Sequence, residues 1–566
     1  MSHRSLVERD LNLLIGDMND FDKHADIVFL ELPFCLSKEE HLCHLEDIND
    51  ALSKVINLKN EDATVCILCS PLSAMEIFSR LESHLYFKLS ISVKLRHEIA
   101  RSGYIPAFFG SLLVFTKYKS SLRHTKTRVS YAYCPNCKKT TKDYGGKKHL
   151  FDSYGTIISD VWRDISWDLA DRPFNIVKRV QDLFSLNTYE NIVYYSLSKN
   201  KCHEHNQKSI FSSKINHELH EEVHSELIHG DVLNILSTLS GDSIDFCFAD
   251  PPYNLKKKYS DWDDNIDSIN YFDWCDTWLS ELCRVLKPGG VLAVLNIPQW
   301  AARHYQFLRN KLSLFDVITW EGLSLPVRMI MPANYTILCF SKGGVSQRLD
   351  LTCTNRYSEY LYTVKEFYCS RASCVKNRKE SSEDKEFISN LWWDIHRLKH
   401  NSVRVNHPCQ LPPKLMHRLI SLFSREGDVV LDPFNGSGTT TLSAQLLKRK
   451  FIGIELSEDY HKIAVSRHIE VAQGLDPFRK REDFSNEKVK NSSVKRMPKI
   501  KYAVSKKSLQ LEVRKIAIKL GRLPTELDIK QHSSYPIEYF HKYFINWSEV
   551  VAATRTNGMS ETQNDI

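Results

Sequence analysis

The sequence predicts an α/β protein in which one kind of open sheet occurs twice, followed by a small all-α module near the carboxyl-terminal end. Three observations predict this arrangement. Buried-strand patterns end in distinctive turns at residues 250–253 (Asp-Pro-Pro-Tyr) and 432–438 (Asp-Pro-Phe-Asn-Gly-Ser-Gly). Features around the first turn recur in the same order before residue 205, and helical patterns return from Leu509 onward.

The first turn follows residues 244–249, an apolar run typical of a buried strand. Two consecutive prolines end the strand and fix an extended turn at the carboxyl-terminal edge of the sheet, where open α/β sheets bind ligands. There, Asp250 and the Pro251 carbonyl can accept the two N–H bonds of a base amine, while Tyr253 stacks on the base. This pattern predicts a pocket that makes the amine nitrogen nucleophilic.

The second turn follows the apolar run 428–431 and precedes a helical pattern over residues 439–447. Gly436 and Gly438 allow a ligand to approach the backbone and the helix N-terminus closely. The next strand pattern ends in Glu455, an acid placed to bind ribose hydroxyls. The turn and the acid together predict a nucleoside site.

These residues identify a family. The chain resembles the S-adenosylmethionine-dependent DNA amino-methyltransferases of the beta class, in which the Asp-Pro-Pro-Tyr segment precedes the glycine-rich segment, and the resemblance covers residues 224–474. It implies a permuted Rossmann-like methyltransferase sheet, S-adenosylmethionine as the cofactor and double-stranded DNA as the substrate. The implied catalytic residues are Asp250, Pro251, Pro252 and Tyr253, and the implied cofactor-binding residues are Asp231, Asp432, Phe434, Gly436, Gly438, Glu455 and His407.

One position departs from the family pattern. The segment beside the methionine end of the cofactor usually reads His-Pro-x-x-Lys-Pro, whereas here Leu411 precedes Pro412, after His407 and Pro408. The role of the family's lysine is therefore open in this chain, with Lys414 as the candidate substitute.

Composition indicates a large cytoplasmic enzyme. The chain has 566 residues, of which 42% are hydrophobic, so several cores and three or four domains are expected. No apolar stretch approaches the roughly 20 residues of a membrane helix, and the polar start lacks a signal-peptide pattern. The 15 cysteines are scattered, which is typical of thiols in a reducing compartment.

An internal repeat relates the two halves. Residues 25–36 align without a gap on residues 244–255, which places Glu31 on Asp250. Four further matches keep this order: Pro71 with Pro298, 115–117 with 340–342, 133–134 with 368–369 and 158–165 with 388–395. We predict a duplication whose first copy has no cofactor site, because no glycine-rich turn follows it. The copies would form an intramolecular pseudo-dimer with a wide surface for DNA; alternatively, the first copy only shields an apolar face.

Four cysteines occupy equivalent places in the two copies. Cys134 and Cys137 lie in the first, and Cys369 and Cys374 lie in the second. If the two pairs meet, four sulfurs could hold one structural zinc ion across the halves. The alternative is cysteines that bind no metal or act separately.

The domain boundaries follow from these patterns. We expect a degenerate methyltransferase-like domain over 1–205 and a catalytic domain over 206–475, with a basic and aromatic target-recognition insert at 344–401. A basic linker spans 476–507, and a tail at 557–566 is expected to be disordered. Residues 508–556 resemble the helical DNA-binding repeat associated with homing endonucleases; a three-helix packing unit is the alternative.

The sequence therefore predicts a site-specific DNA methyltransferase that acts on the N6 amine of adenine within a restriction–modification system. A cognate endonuclease is the candidate partner, and a solitary modifying enzyme is the alternative. An aspartate in the first turn, as opposed to a serine, favours adenine over the N4 amine of cytosine, which is the alternative. A non-catalytic DNA-binding scaffold or a nuclease subunit would be another class, but no His-Asn-His or paired-carboxylate nuclease segment occurs in the sequence.

Overall fold

The computed structural model describes residues 13–15, 24–101, 104–119, 122, 125, 127–141, 155–184, 192–197, 224–255, 264–322, 330–343, 358–366, 368–369, 371, 374, 378, 385–398, 410–478, 506–544 and 547–552. His407, most of the predicted insert, the linker between 479 and 505 and the predicted tail lie outside these residues. No helix in the described ranges is both long and apolar enough to cross a membrane.

The first half contains a seven-stranded sheet. Its strands and an accompanying short hairpin are β1 (Leu13–Ile15), β2 (Ile27–Glu31), β3 (Thr64–Cys69), β4 (Tyr86–Ile99), β5 (Ala107–Thr116), β6 (Arg128–Val129), β7 (Thr156–Ile157), β8 (Val161–Trp167) and β9 (Ile192–Ser196). Its helices are α1 (Lys38–Cys43), α2 (Leu45–Ile56), α3 (Pro71–Leu81) and α4 (Phe174–Phe184). The strand order of the sheet is β1-β9-β2-β3-β5-β4-β8, and β6 pairs with β7 separately.

The second half contains an eight-stranded sheet. Its strands and a second hairpin are β10 (Glu226–His229), β11 (Ile244–Ala249), β12 (Leu286–Asn296), β13 (Ser313–Glu321), β14 (Asn334–Ser341), β15 (Tyr362–Val364), β16 (Lys385–Phe387), β17 (Leu391–Trp392), β18 (Val429–Asp432) and β19 (Lys450–Glu455). Its helices are α5 (Val232–Thr238), α6 (Ser268–Val285), α7 (Pro298–Leu308), α8 (Pro413–Phe423), α9 (Thr439–Leu446) and α10 (Glu458–Ala472). The strand order is β10-β19-β18-β11-β12-β14-β13-β17.

Five strands of each sheet share one order and one set of directions. In β2-β3-β5-β4-β8 and in β11-β12-β14-β13-β17, the first pair is parallel, the next two pairs are antiparallel and the last pair is parallel. The central strands β2, β3, β11 and β18 are buried along their whole length, which explains their continuous apolar sequences. Beyond β11, the second sheet adds β18, β19 and β10, whereas the first adds β9 and β1 beyond β2.

The two halves pack through equivalent elements. Helix α3 lies against α7 and β13, and α7 lies against β4. Both helices begin at a proline, a residue suited to the first helical turn. Across this interface, the Glu76 carboxylate accepts hydrogen bonds from the Tyr305 hydroxyl and from Arg309, and the Ser92 and Thr319 hydroxyls lie 2.8 Å apart.

The predicted carboxyl-terminal unit is helical in the described residues. It comprises α11 (Lys506–Leu520), α12 (Glu526–His532), α13 (Ile537–Tyr543) and α14 (Trp547–Ala552) around an apolar cluster of their own side chains. Thr525 caps α12 in a capping box with Asp528, which also pairs with Arg522 at 2.6 Å. Gly521 ends α11, as the sequence indicated, through a positive φ of 67°.

Candidate active site

Both predicted turns lie at one edge of the second sheet. Strands β11 and β18 are parallel neighbours, with Phe246 opposite Val430, so the segments that follow them open into the same cleft. The cleft encloses about 1210 Å³ of space when its open mouth is included.

The turn after β11 is held in place by neighbours on several sides. The Tyr271 hydroxyl donates to the Pro252 carbonyl at 2.6 Å, and the Trp300 indole N–H donates to the Tyr253 carbonyl at 2.9 Å. The next residue, Asn254, has a φ of 54° and donates its backbone N–H to Asp264. These contacts make the turn a preorganised element, as the double proline predicted.

The acceptors of this turn are arranged as the sequence indicated. The Tyr253 hydroxyl donates to Asp250 at 2.7 Å. Burial, followed by the charge of Asp250, holds the pKa of Tyr253 well above its usual range, so this hydroxyl stays protonated. The Pro251 carbonyl accepts no hydrogen bond from any residue in the described ranges. An amine in the cleft therefore finds a carbonyl oxygen and a carboxylate as adjacent acceptors.

Aromatic side chains from β13 and β14 form another wall of the cleft. The Trp320 and Tyr335 rings lie 5.3 Å apart, and the Arg397 guanidinium stacks over Tyr335 at 4.7 Å. Gly322 makes room for both neighbours, because a Cβ there would lie 2.8 Å from the Tyr335 ring. The sequence analysis missed these residues, although Trp320 and Tyr335 stand at the ends of two apolar runs that meet this sheet edge.

The glycine-rich turn after β18 approaches β19 closely. The Asn435 N–H donates to the Ile454 carbonyl at 2.8 Å, and Glu455 accepts from the Gly436 N–H at 2.7 Å. Gly438 begins α9 with a φ of 84°, and a Cβ there would come within 3.1 Å of the Ala464 Cβ. The backbone can take this path only with glycine.

The other implied cofactor residues surround this turn. One carboxylate oxygen of Asp231 caps α5 by accepting from Leu233 and Asn234, and its second oxygen accepts nothing from the described part of the chain. The Phe434 ring packs edge-on against Trp278 at 5.1 Å. The Glu455 carboxylate already accepts two backbone N–H bonds, so any ribose hydroxyl would share its remaining lone pairs.

Asp432 is a buried acid of the cleft whose pKa is raised. Burial raises its pKa to about 7; the Thr440 hydroxyl and the Phe434 N–H oppose this shift, whereas the charges of Asp250 and Glu455 add to it. Four carboxylates, those of Asp231, Asp250, Asp432 and Glu455, thus line the cleft, and Arg397 is the one cationic side chain among its lining residues. The cleft favours a positively charged ligand beside Asp432.

The cleft brings together nearly all predicted site residues that the structure describes. Its lining includes Asp231, Asp250, Pro251, Pro252, Tyr253, Asp432, Phe434, Gly436 and Glu455. Gly438 lies just behind the lining, and His407 lies outside the described residues. At the position where the family has lysine, Leu411 lines the cleft, whereas Lys414 forms an ion pair with Asp394 at 2.6 Å.

The equivalent region of the first half is filled by its own side chains. Glu31 accepts hydrogen bonds from the Trp167 indole at 3.1 Å, from the Ser196 hydroxyl at 2.9 Å and from the Tyr194 hydroxyl. Trp167 packs so closely on Gly110 that a Cβ there would lie 2.5 Å from its ring. The carboxylate that matches Asp250 is therefore saturated and covered.

The four cysteines singled out by the sequence converge across the halves. All four sulfurs of Cys134, Cys137, Cys369 and Cys374 lie within 4.8 Å of one another. The Sγ–Sγ distances are 3.8 Å between Cys134 and Cys374 and 3.5 Å between Cys137 and Cys369. Each of these pairs joins one half to the other.

Known proteins match the part of the chain that contains both turns of the cleft. The DNA methylase family matches residues 244–466. The Type II methyltransferase M.BamHI of Bacillus amyloliquefaciens is 36% identical over 240 residues, which are 41% of this chain and 54% of that protein. This chain thus spans about half the length of that relative.

Other relatives are covered more completely. The Type II methyltransferase M.HpaI of Haemophilus parainfluenzae is 32% identical over 260 residues, which are 45% of this chain and 77% of that protein. The DNA adenine methyltransferase YhdJ of Escherichia coli K12 is 30% identical over 270 residues, covering 43% and 81%. Among solved structures, the cytosine-N4-specific PvuII DNA methyltransferase is 21% identical with a TM-score of 0.32, covering 43% of this chain and 86% of that one.

The family predicted from the two turns is thereby confirmed. The match to the family spans both turns, and M.HpaI is covered over most of its length at more than 30% identity. This chain belongs to the DNA methylase family.

Proposed function

We propose that this chain transfers a methyl group from S-adenosylmethionine to the exocyclic N6 amine of adenine in duplex DNA. The observation that carries the proposal is a single cleft in which the acceptors Asp250 and Pro251 stand opposite the glycine-rich turn at 432–438. One end of this cleft suits a flat base with an amine, and the other suits a nucleoside with a positive charge.

The residues of the cleft fit S-adenosylmethionine. Gly436 lines the cleft without a side chain, and Asp231 offers an oxygen that accepts no hydrogen bond within the described chain. Asp432 would face the positively charged part of such a ligand, and Glu455 would accept from its ribose hydroxyls. When bound, this cofactor would supply a methyl group on a positively charged sulfur, which would become a neutral thioether as the amine nitrogen bonds to the methyl carbon; the nitrogen would release one of its two protons, for which Asp250 is the adjacent acceptor.

The protein's own groups prepare the amine. A base flipped out of the duplex, at a cost of a few kcal/mol, would enter between the aromatic rings of Tyr253, Trp320 and Tyr335. Asp250 and the Pro251 carbonyl then accept the two N–H bonds, which directs the nitrogen lone pair away from them and toward the glycine-rich turn. The rate enhancement comes from this positioning and from the fixed acceptors, with no covalent enzyme intermediate.

Adenine is the favoured base. The first turn carries an aspartate and not a serine, and the related YhdJ is named as a DNA adenine methyltransferase. The N4 amine of cytosine is the second candidate, because it presents the same two N–H bonds to the same acceptors. The relatives named as Type II methyltransferases support a place in a restriction–modification system with a cognate endonuclease.

We further propose that the first half, residues 1–205, is a degenerate copy of the catalytic domain, 206–475, and that the two copies form an intramolecular pseudo-dimer. The shared order and direction of five strands in each half support this duplication. The filled region around Glu31 supports the loss of the amine acceptor in this copy. The unit at 508–556 and the basic linker before it would add contacts to DNA phosphates.

The cysteine cluster would hold a structural zinc ion. Zinc bound to four thiolates at about 2.3 Å requires sulfurs roughly 3.8 Å apart, and the two measured pairs lie at 3.8 and 3.5 Å. Such an ion would fasten residues 134–137 of the first half to residues 369–374 of the second.

Asp250→Ala tests the catalytic assignment. The change removes one of the two amine acceptors while leaving the glycine-rich turn intact, so transfer of tritiated methyl groups to DNA should fall by at least about 10³-fold, with S-adenosylmethionine binding within a few-fold of wild type. Asp264→Ala, in the neighbouring loop, is the control: it disturbs the shape of the turn but keeps both amine acceptors. It should therefore retain more activity than Asp250→Ala. Wild-type rates in Asp250→Ala would refute the assignment.

The pKa of Asp432 makes cofactor binding depend on pH. Because burial raises this pKa to about 7 and a cationic ligand favours the ionised carboxylate, proton release accompanies binding. The affinity for S-adenosylmethionine should therefore increase from pH 5.5 to pH 7.5, measured by isothermal titration calorimetry. The increase should be smaller in Asp432→Asn. Equal slopes in the two proteins would exclude Asp432 as the titrating group.

Arg397 is placed to bind a phosphate beside the flipped nucleotide. Its guanidinium stacks on Tyr335, and it has no acidic partner in the described part of the chain. Arg397→Gln should raise the KM for DNA and reduce the salt dependence of binding by about one phosphate contact, with cofactor affinity unchanged. Lys54→Gln, on the distant helix α2, is the charge-matched control. An unchanged salt dependence in Arg397→Gln would contradict this role.

Zinc content tests the cysteine site. Elemental analysis of the purified chain should find one zinc per molecule, and Cys134→Ser should lose the metal and unfold at a lower temperature. Cys43→Ser, which alters an exposed thiol of the first half, should change neither property. Wild-type protein that holds no zinc after refolding with the metal would rule the site out.

A further inference from the structure

A short segment of the first half runs beside the start of β14 in the second. Residues 158–160 and 331–334 pair like neighbouring strands: the Met331 N–H donates to the Ile158 carbonyl at 2.8 Å, and the Asp160 N–H donates to the Met331 carbonyl at 3.2 Å. This pairing continues through a side chain. The Asp160 carboxylate accepts from the backbone N–H groups of Ala333 at 2.7 Å and Asn334 at 2.9 Å.

The residue that follows these two N–H groups is Tyr335, a wall of the base end of the cleft. Asp160 therefore fixes the backbone from which the Tyr335 ring projects. A carboxylate that accepts two adjacent N–H groups satisfies donors that the sheet leaves unpaired at the beginning of a strand. Without it, this strand end loses two hydrogen bonds next to the cleft.

Arg163 of the first half holds the other side of the same wall. Its guanidinium donates to Glu321 at 2.6 Å and to Glu366 at 2.7 Å, and it stacks on the Trp393 ring at 5.5 Å. Glu321 directly follows Trp320. The wall itself is one bonded unit, because the Gly322 N–H donates to the Ala333 carbonyl at 2.9 Å.

We infer that the first half positions the base-binding wall: Asp160 holds Tyr335 and Arg163 holds Trp320, so the base end of the cleft is complete only when the first half is docked. This inference rests on the proposed base methylation. In this account, the first half contributes to the reaction by positioning residues of the second half, without contacting the substrate. Asp160 and Arg163 are positioning residues.

The corresponding contact, from the second half to the first, differs in a way that fits the positioning role of the first half. Asn390, which the repeat aligns with Asp160, accepts from the Phe108 N–H of the first half at 2.9 Å. Two residues further along β5, Gly110 takes the place in the strand register that Tyr335 has in β14, and Trp167 packs over it. Equivalent side-chain-to-backbone hydrogen bonds therefore support an open wall in the second half and a closed region in the first.

Asp160→Ala tests the inference in the full-length chain. The change should lower kcat on a duplex that contains the methylation site by about 10- to 100-fold, the scale expected for small displacements of a positioned group. The Kd for S-adenosylmethionine should stay within about twofold, since the glycine-rich turn is untouched. A duplex with 2-aminopurine at the target base should show a smaller fluorescence increase than with wild type, because fewer bases remain flipped.

Three further variants separate positioning from general stability. Asp160→Asn keeps an oxygen acceptor for both N–H groups and should restore most of the rate. Arg163→Gln should lower kcat in the same way as Asp160→Ala, and it serves as the second test if Asp160→Ala does not fold. Glu76→Ala removes contacts of α3 with Tyr305 and Arg309, which do not line the cleft, and should lower the unfolding temperature without changing kcat.

The outcomes are distinct for the two proposals. An inactive wild-type chain with intact cofactor binding would overturn the proposed function. If the wild-type chain is active, two results would overturn the positioning role. One is an Asp160→Ala variant that keeps the wild-type kcat and 2-aminopurine signal. The other is a Glu76→Ala variant that loses as much kcat as Asp160→Ala. Failure of Asp160→Asn to restore the rate would also overturn this role.

Discussion

The parallel pairing of β11 with β18 is the constraint on which the site depends. It brings the carboxyl-terminal ends of the two strands to one edge of the sheet, where Asp250 and Asp432 enter the same cleft. Neither turn forms a site alone, because one offers acceptors for an amine and the other offers a glycine-lined space at a helix start. Burial at this edge is the main cause of the raised pKa of Asp432, and the charge of Asp250, which the pairing brings close, adds to it.

The two halves share one strand arrangement, but it borders an open cleft in the second half and a covered carboxylate in the first. In the second half, the ring of Tyr335, the second residue of β14, borders an open cleft. In the first half, Gly110 lets Trp167 cover Glu31, the carboxylate that aligns with Asp250. Covering a carboxylate with three hydrogen-bond donors satisfies it without a ligand, which is the condition for burying such a group.

The parts of the site that the sequence predicted are those set by local chemistry. Double proline, glycine at a strand-to-helix turn and an acid at a strand end each constrain the backbone within a few residues, so Asp250, Gly438 and Glu455 could be assigned without coordinates. The wall formed by Trp320 and Tyr335 could not, because it depends on the antiparallel register of β13 and β14 and on contacts from the other half. The meeting of the four cysteines likewise required the packing of two halves more than 200 residues apart.

Modification-sensitive sequencing of genomic DNA tests the central claim most directly, because it reports the modified base together with its surrounding sequence. Cells that express the chain should carry N6-methyladenine at one recurring sequence that is unmodified in cells without it. DNA with no new modification, despite soluble protein that binds S-adenosylmethionine, would contradict the account of the cleft. N4-methylcytosine at the recurring sequence would keep the chemistry of the two acceptors and replace adenine with the second candidate base.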